Sequence, residues 1–260
     1  MQTDSSKMIP DPDKDVFHID TMRCNELDPF IDVYSLAFEQ PLADMVMPMI
    51  YPDTLMSPEV HARLRKNFND GDVYIVARHI STGRLLGVSW WQKVTKPLQT
   101  PEEVNDAFRK GWERKEKAPI VPGMRMDLER AYYEASFFST LQVTDAKPYW
   151  ELRILAIHPD HQKRGIGAAL LRDGLERVIR DQNSLPVFVI SARQGKRLYE
   201  KFGFQVVQEL PLDARDYGGW SPAKHWCMMR PGQTARHDSY ETPTLEGLTP
   251  IADALRKAPE

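Results

Sequence analysis

Between residues 150 and 178 the apolar positions follow two successive rhythms. Trp150, Leu152 and Ile154 alternate with Glu151, Arg153 and Leu155, a period of two that predicts a strand with two different faces. Pro159-Asp160 breaks it. From Ile166 the period lengthens, and Leu170, Leu171, Gly174, Leu175 and Val178 recur at the spacing of a helix that buries one side. Upstream, Val16–Met22 predicts a first strand, and Asn25 predicts a cap for a helix running to about Phe38. Ser57-Pro58-Glu59 opens a second helix, with Val60, Leu64 and Phe68 turned inward. Asp72–Arg78, the turn Ser81–Arg84 and Leu85–Trp91 predict a β-hairpin.

Two further helices separate that hairpin from the strand at 150. Pro101–Lys115 reads as a charged helix, and Met126–Leu141 as another with Leu128, Tyr132, Phe138 and Leu141 available for packing. Pro97, Pro119, Pro122 and Pro148 punctuate this segment. Downstream lie a β-rich run Leu185–Ser191, a helix from Gln194 that Gly203 stops in a left-handed turn, and strands Gln205–Leu210 and Lys224–Arg230. The expected organisation is a loose arm over 1–14, one domain over 15–230 with an insertion at about 95–147, and an extension over 231–260. Within that extension, Thr249–Lys257 reads as one short helix.

Composition narrows the functional classes. A length of 260 residues suits one large domain with a real core. A formal charge of −3 provides no lysine–arginine surplus to neutralise phosphates, so no nucleic-acid partner is expected. Cys24 and Cys227 stand far apart without metal-ligand spacing, which favours a reduced, cytoplasmic setting over a disulfide framework. The most Met-rich stretch, Leu42–Ile50, is interrupted by Asp44 and Pro48, so no membrane span is expected. His158 and His161 flank Pro159-Asp160, but no Cys partner or helix-spaced histidine pair accompanies them, and no metal is expected.

The chemistry concentrates between the strand and the helix, at Gln162-Lys163-Arg164-Gly165-Ile166-Gly167-Ala168. Glycines there let successive backbone N–H groups converge, and the helix start adds positive partial charge, a combination suited to a phosphate or pyrophosphate. A nucleotide P-loop would end in Gly-Lys-Ser/Thr, and none follows; a dinucleotide fingerprint would place a third glycine where Leu170 stands. The remaining pattern, Gln-x-x-Gly-x-Gly-Ala behind an apolar strand, resembles the acyl-CoA-binding motif of the GNAT N-acetyltransferase superfamily. Leu198-Tyr-Glu-Lys-Phe-Gly-Phe204, about thirty residues on, is similar to the helix-to-strand signature that closes the same core. The resemblance is carried by residues 148–230, is weaker over 15–94, and is absent from 95–147 and the tail.

That resemblance implies an α/β fold, with a central mixed β-sheet flanked by helices and a helical insertion before the cofactor-binding strand. It implies acetyl-CoA as acyl donor, with the pyrophosphate at Gln162, Lys163, Arg164, Gly165, Ile166, Gly167 and Ala168 and the pantetheine along Leu155, Ala156 and Ile157. Tyr199 falls where many members hold a tyrosine near the CoA sulfur as general acid; its other reading is an aromatic anchor between the last helix and the sheet. Glu151, five residues before Ala156, occupies a position where some relatives carry a catalytic base. It also shares a strand face with Arg153, so a structural ion pair is the competing reading. Ala192 departs from the family, which often places Asn or Ser there to bond the cofactor, and Ser191 would point to the opposite face. The acceptor expected is a primary amine of a small molecule, attacked directly in a ternary complex by a monomer or homodimer. The alternatives are acetylation of a protein lysine or N-terminus and, from another class, a non-catalytic CoA-binding regulatory module. The methionines at 45, 47, 49 and 56 either border the acceptor pocket or pack the core, and the insertion either shapes selectivity or elaborates the surface.

Overall fold

A computed structural model describes residues 16–39, 45–52, 55–96, 98–180 and 185–232. The expected arm at 1–14, Pro97, most of the extension with its short helix, and residues 42–44 of the Met-rich stretch lie outside the described residues. The elements run β1 (Phe17–Thr21), α1 (Leu27–Glu39), α2 (Val46–Ile50), α3 (Pro58–Arg65), β2 (Val73–His79), β3 (Leu85–Val94), α4 (Pro101–Glu116), α5 (Met126–Thr144), β4 (Tyr149–Ile157), α6 (Ile166–Arg180), β5 (Val187–Ala192), α7 (Arg193–Lys201), β6 (Gln205–Glu209) and β7 (His225–Arg230). One-turn 3₁₀ segments occur at Pro159–His161 and Ala214–Tyr217. Among the described residues the strands form one seven-stranded mixed sheet in the order β1-β2-β3-β4-β5-β7-β6, as the resemblance implies, with β4 and β5 parallel and the other pairs antiparallel.

Local signals explain most of these elements. The Ser57 hydroxyl accepts the Val60 N–H at 3.2 Å and starts α3. Thr100 and Glu103 form a reciprocal capping box on α4, with Pro101 in the first turn. Three expectations change. Helix α1 begins at Leu27, with the carbonyl of Glu26 rather than Asn25 accepting the Phe30 N–H. Helix α3 ends at Arg65, so Phe68 reaches the core from the loop, stacked on Trp90 at 4.9 Å between ring centres. Phe138 turns away from the sheet to stack on Phe108 of α4 at 5.3 Å.

Each face of the sheet has its own core. Helix α6 buries Ile166, Leu170, Leu171, Leu175 and Val178 against Ile75, Trp91, Leu152 and Val187, and Tyr199 of α7 joins them. On the other face α1, α2, α3 and Leu128 of α5 cover Val76, Val88, Trp90, Ile154 and Ala156. Trp90 and Trp91 therefore divide between the faces, as strand alternation requires. Met49 is a core residue on the second face, fully buried.

Candidate active site

The site starts from a divergence in the middle of the sheet. Strands β4 and β5 pair only at Trp150–Val187 and Glu151–Phe188, then separate. Just past that point β4 holds one extra residue: Trp91 stands opposite Leu152 and Trp90 opposite Ile154, leaving Arg153 as a bulge. The bulge overturns the simple alternation expected from the sequence. Trp150 and Leu152 pack under α6, whereas Ile154 joins the opposite core with Ala156. It re-aims the backbone as well. The His158 N–H donates to Leu86 O at 2.9 Å, so by period two the backbone groups of Ala156 face β3. Those of Leu155 and Ile157 face the side that β5 has left.

The glycine turn follows directly. The His158 ring accepts the Asp160 N–H at 3.3 Å, and Gln162 folds back to donate to the Ile157 carbonyl at 3.2 Å. Lys163 (φ 61°) and Gly165 (φ 85°) both adopt left-handed backbone, which gathers successive N–H groups into a concavity suited to an anion. The first helical bond of α6 runs from Ala169 N–H to Gly165 O at 3.0 Å. The N–H groups of Ile166, Gly167 and Ala168 thus precede any intrahelical acceptor. Ile166 buries its side chain in the core and offers the turn only its backbone. Gly165 serves its left-handed conformation, since a Cβ there would meet nothing within 4 Å. At Gly167 a Cβ would make ordinary contacts, 3.4 Å from Leu198 and 3.7 Å from Ile157. Lys163 and Arg164 are exposed beside the turn, while Lys196 pairs with Glu200 at 2.6 Å.

Helix α7 leaves β5 without a loop. Ala192 is its N-cap and supplies no side-chain cap, and the Ser191 hydroxyl donates to the Ala192 carbonyl at 2.8 Å. Tyr199 lies on the α6 side of the sheet, its ring over Gly195 and 5.6 Å from that of Phe204. Burial pushes the Tyr199 phenol well above its ordinary value, so it holds its proton at neutral pH.

Glu151 sits on the opposite face. Its Oε2 lies 3.3 Å from Arg153 Nη1, which donates to Gln92 Oε1 at 2.8 Å, and the guanidinium stands 4.8 Å from the Trp90 ring centre. The contact of Glu151 with Arg153, the competing reading of Glu151 from the sequence, is therefore present. Around the pair stand tyrosines that no motif marks. Burial pushes Tyr132 up to about 12, and it raises Tyr34 and Tyr149 further; Glu151 and Arg153 both act on Tyr132 and Tyr149. Tyr132 comes from α5, which covers this face. A buried carboxylate anchors it there: Glu129 takes Arg63 at 2.6 Å and Lys115 at 3.0 Å, and Arg63 Nε donates to Tyr51 Oη at 3.1 Å. The β6–β7 loop closes over α2 and α5, with Arg125 donating to Gly218 O and Gly219 packed against Met49. Among the described residues no group of three or more His, Cys, Asp or Glu could hold a metal ion. No helix among them is long and apolar enough to cross a membrane.

Comparison with known proteins matches this arrangement. The family model of the acetyltransferase (GNAT) domain matches residues 131–206. Among solved structures, arylalkylamine N-acetyltransferase 2 from Aedes aegypti superposes with a TM-score of 0.57 at 14% identity, over 83% of this chain and 98% of its own. A polyamine N-acetyltransferase from Drosophila melanogaster gives a TM-score of 0.53 at 18% identity, over 82% and 97%. A histone acetyltransferase HPA2-related protein from Corynebacterium glutamicum gives 0.52 at 18% identity, over 83% and 96%. At these identities the structures establish the fold. The family match spans β4, the glycine turn and Tyr199, and over these residues the chain is similar to a GNAT acetyltransferase domain.

Proposed function

We propose that the protein moves the acetyl group of acetyl-CoA onto a primary amine of a small molecule, by direct attack in a ternary complex. The observation that carries this reading is the open edge of β4 at Leu155 and Ile157, continuous with the N–H cradle at Lys163–Ala168. An unpaired strand edge accepts pantetheine amides as it would another strand, and the cradle accepts pyrophosphate. Gln162, Lys163, Arg164, Gly165, Ile166, Gly167 and Ala168 would hold the phosphates; Leu155 and Ile157 would hold the pantetheine, with Ala156 backing them against β3. Two neighbours of the fold are named for arylalkylamine and polyamine substrates, which favours an amine acceptor. The anchored insertion and the closed β6–β7 loop favour an enclosed pocket over an open peptide groove.

Acetyl-CoA supplies an activated thioester; the chain supplies position and protons. Glu151, directly or through one water, takes the proton that an ammonium must lose before its nitrogen has a lone pair to share. Backbone N–H groups on the open edge of β4 stabilise the oxyanion as the C–N bond forms. Tyr199 gives its proton to the sulfur as the C–S bond breaks, and the second amine proton restores the enzyme through solvent. The raised phenol keeps Tyr199 protonated at neutral pH, so the proton is present when the sulfur leaves. An acyl-cysteine route is disfavoured: Cys227 is buried in β7 with its thiol pushed up to about 12, and Cys24 lies outside this site.

Incubation with acetyl-CoA and panels of small amines, peptides and alcohols, following released thiol, tests the reading. Thiol release with small amines is expected. CoA binding without turnover across all panels would favour a regulatory module, and no CoA binding at all would overturn the proposal.

A further inference from the structure

Arg153 stands in an unusual place for a cation. It belongs to β4, the fourth of seven strands, on a face that α1, α2 and α5 otherwise cover. Yet its side chain is 38% exposed, so the guanidinium meets solvent rather than being sealed in a core. It is also the residue that the bulge inserts between Leu152 and Ile154, and a bulge re-aims the side chain it adds.

Its partners leave it half used. Nη1 donates to Gln92 Oε1 at 2.8 Å and meets Glu151 at 3.3 Å, and the plane is held over Trp90. Neither Nε nor Nη2 makes a hydrogen bond among the described residues. A guanidinium fork matches a carboxylate through two parallel bonds, and charge-assisted N–H···O contacts run about 2.7–2.9 Å. One contact at 3.3 Å is too loose to account for the fork. Trp90 and Gln92 meanwhile fix its orientation before any ligand arrives, which lowers the ordering cost of binding. Cation and anion stand side by side here, Glu151 raising and Arg153 lowering the phenols of Tyr132 and Tyr149.

We propose that Arg153 selects the acceptor, by binding the carboxylate of an amine that carries its own carboxylate, as an amino acid does. Glu151 then receives the ammonium. This rests on the N-acetyltransferase reading above. A zwitterion replaces the loose Glu151–Arg153 contact with two matched pairs and leaves Glu151 facing the proton to be removed. An amine without a carboxylate brings a second positive charge toward Arg153 with only Glu151 to offset both. Attraction for one class and repulsion of the other act in the same direction.

Released thiol is measured with acetyl-CoA and matched sets comprising an amino acid, its amide and its decarboxylated amine. The amino acid is expected to exceed both others in kcat/KM by about tenfold or more. Arg153→Gln should raise KM for the amino acid by about tenfold and abolish the preference, with the CoA dissociation constant unchanged. Arg153→Lys, which keeps the charge without the fork, should retain part of the preference and separates this effect from misfolding. If the wild-type protein turns over the amide or the decarboxylated amine as well as the amino acid, the inference fails and the N-acetyltransferase reading survives. If no amine of any kind releases thiol, both fail.

Discussion

Tyr199 and Glu151 approach the site from opposite faces of the sheet, and their roles separate by different measurements. Tyr199→Phe removes the proposed proton donor without changing the ring that packs on Gly195 and Phe204. It should lower kcat by about a hundredfold or more, with CoA affinity nearly unchanged by titration. Glu151→Gln should flatten the acidic limb of the kcat/KM pH profile; an unaltered profile would leave the carboxylate as a partner of Arg153 only. His158 sets a pH limit on the turn itself. Burial holds its imidazole below the ordinary 6.5, with His161 and Arg84 adding to the effect and Asp160 opposing it. The unfolded chain therefore takes up a proton before the native one does. The contribution to stability is complete above pH 6.5 and is lost as the pH falls through the lower native value. Melting temperatures measured across that range should fall toward acid, and less steeply in His158→Asn.

At the scale of elements, two glycines of α6 make opposite predictions from one helix. At Gly174 a Cβ would enter the ring of Trp91, because α6 lies directly on β3 there. Gly174→Ala should cost about 1–3 kcal/mol in denaturant unfolding. At Gly167 the fold tolerates a Cβ, so Gly167→Val should weaken CoA binding while the melting temperature stays near that of the parent. The strand–turn–helix unit was legible because its signals are local: Pro159, Gly165 and the helical spacing of Leu170, Leu171 and Leu175 act within a few residues of themselves. The bulge was not. Trp150, Leu152 and Ile154 give the same written pattern with or without an extra residue at 153, and only the register against Trp90 and Trp91 distinguishes the two.

For the whole molecule, helices α3, α4 and α5 converge on one buried carboxylate. Glu129 joins α5 to Arg63 of α3 and Lys115 of α4, and both Glu129 and Arg63 have side chains only 5% exposed. Removing one partner of such a group strands the others. Glu129→Ala should therefore destabilise the protein by about 3–5 kcal/mol in chemical denaturation. Turnover should fall too, since Tyr132 would lose its fixed position over the sheet. Nothing in the sequence marks this contact, because Arg63 and Glu129 read singly as ordinary charges on two helices.

Sequence determined the proposed donor side of this protein: a strand, an N–H cradle and the Tyr199 helix, each specified by residues close together in the chain. Tertiary structure decided the proposed acceptor side. The splay of β4 from β5, the bulge that turns Arg153 and Ile154, and the tyrosines gathered from α1, α5 and β4 come from strand register and helix docking. Those are contacts between distant segments, to which a local hydrophobic period carries no reference.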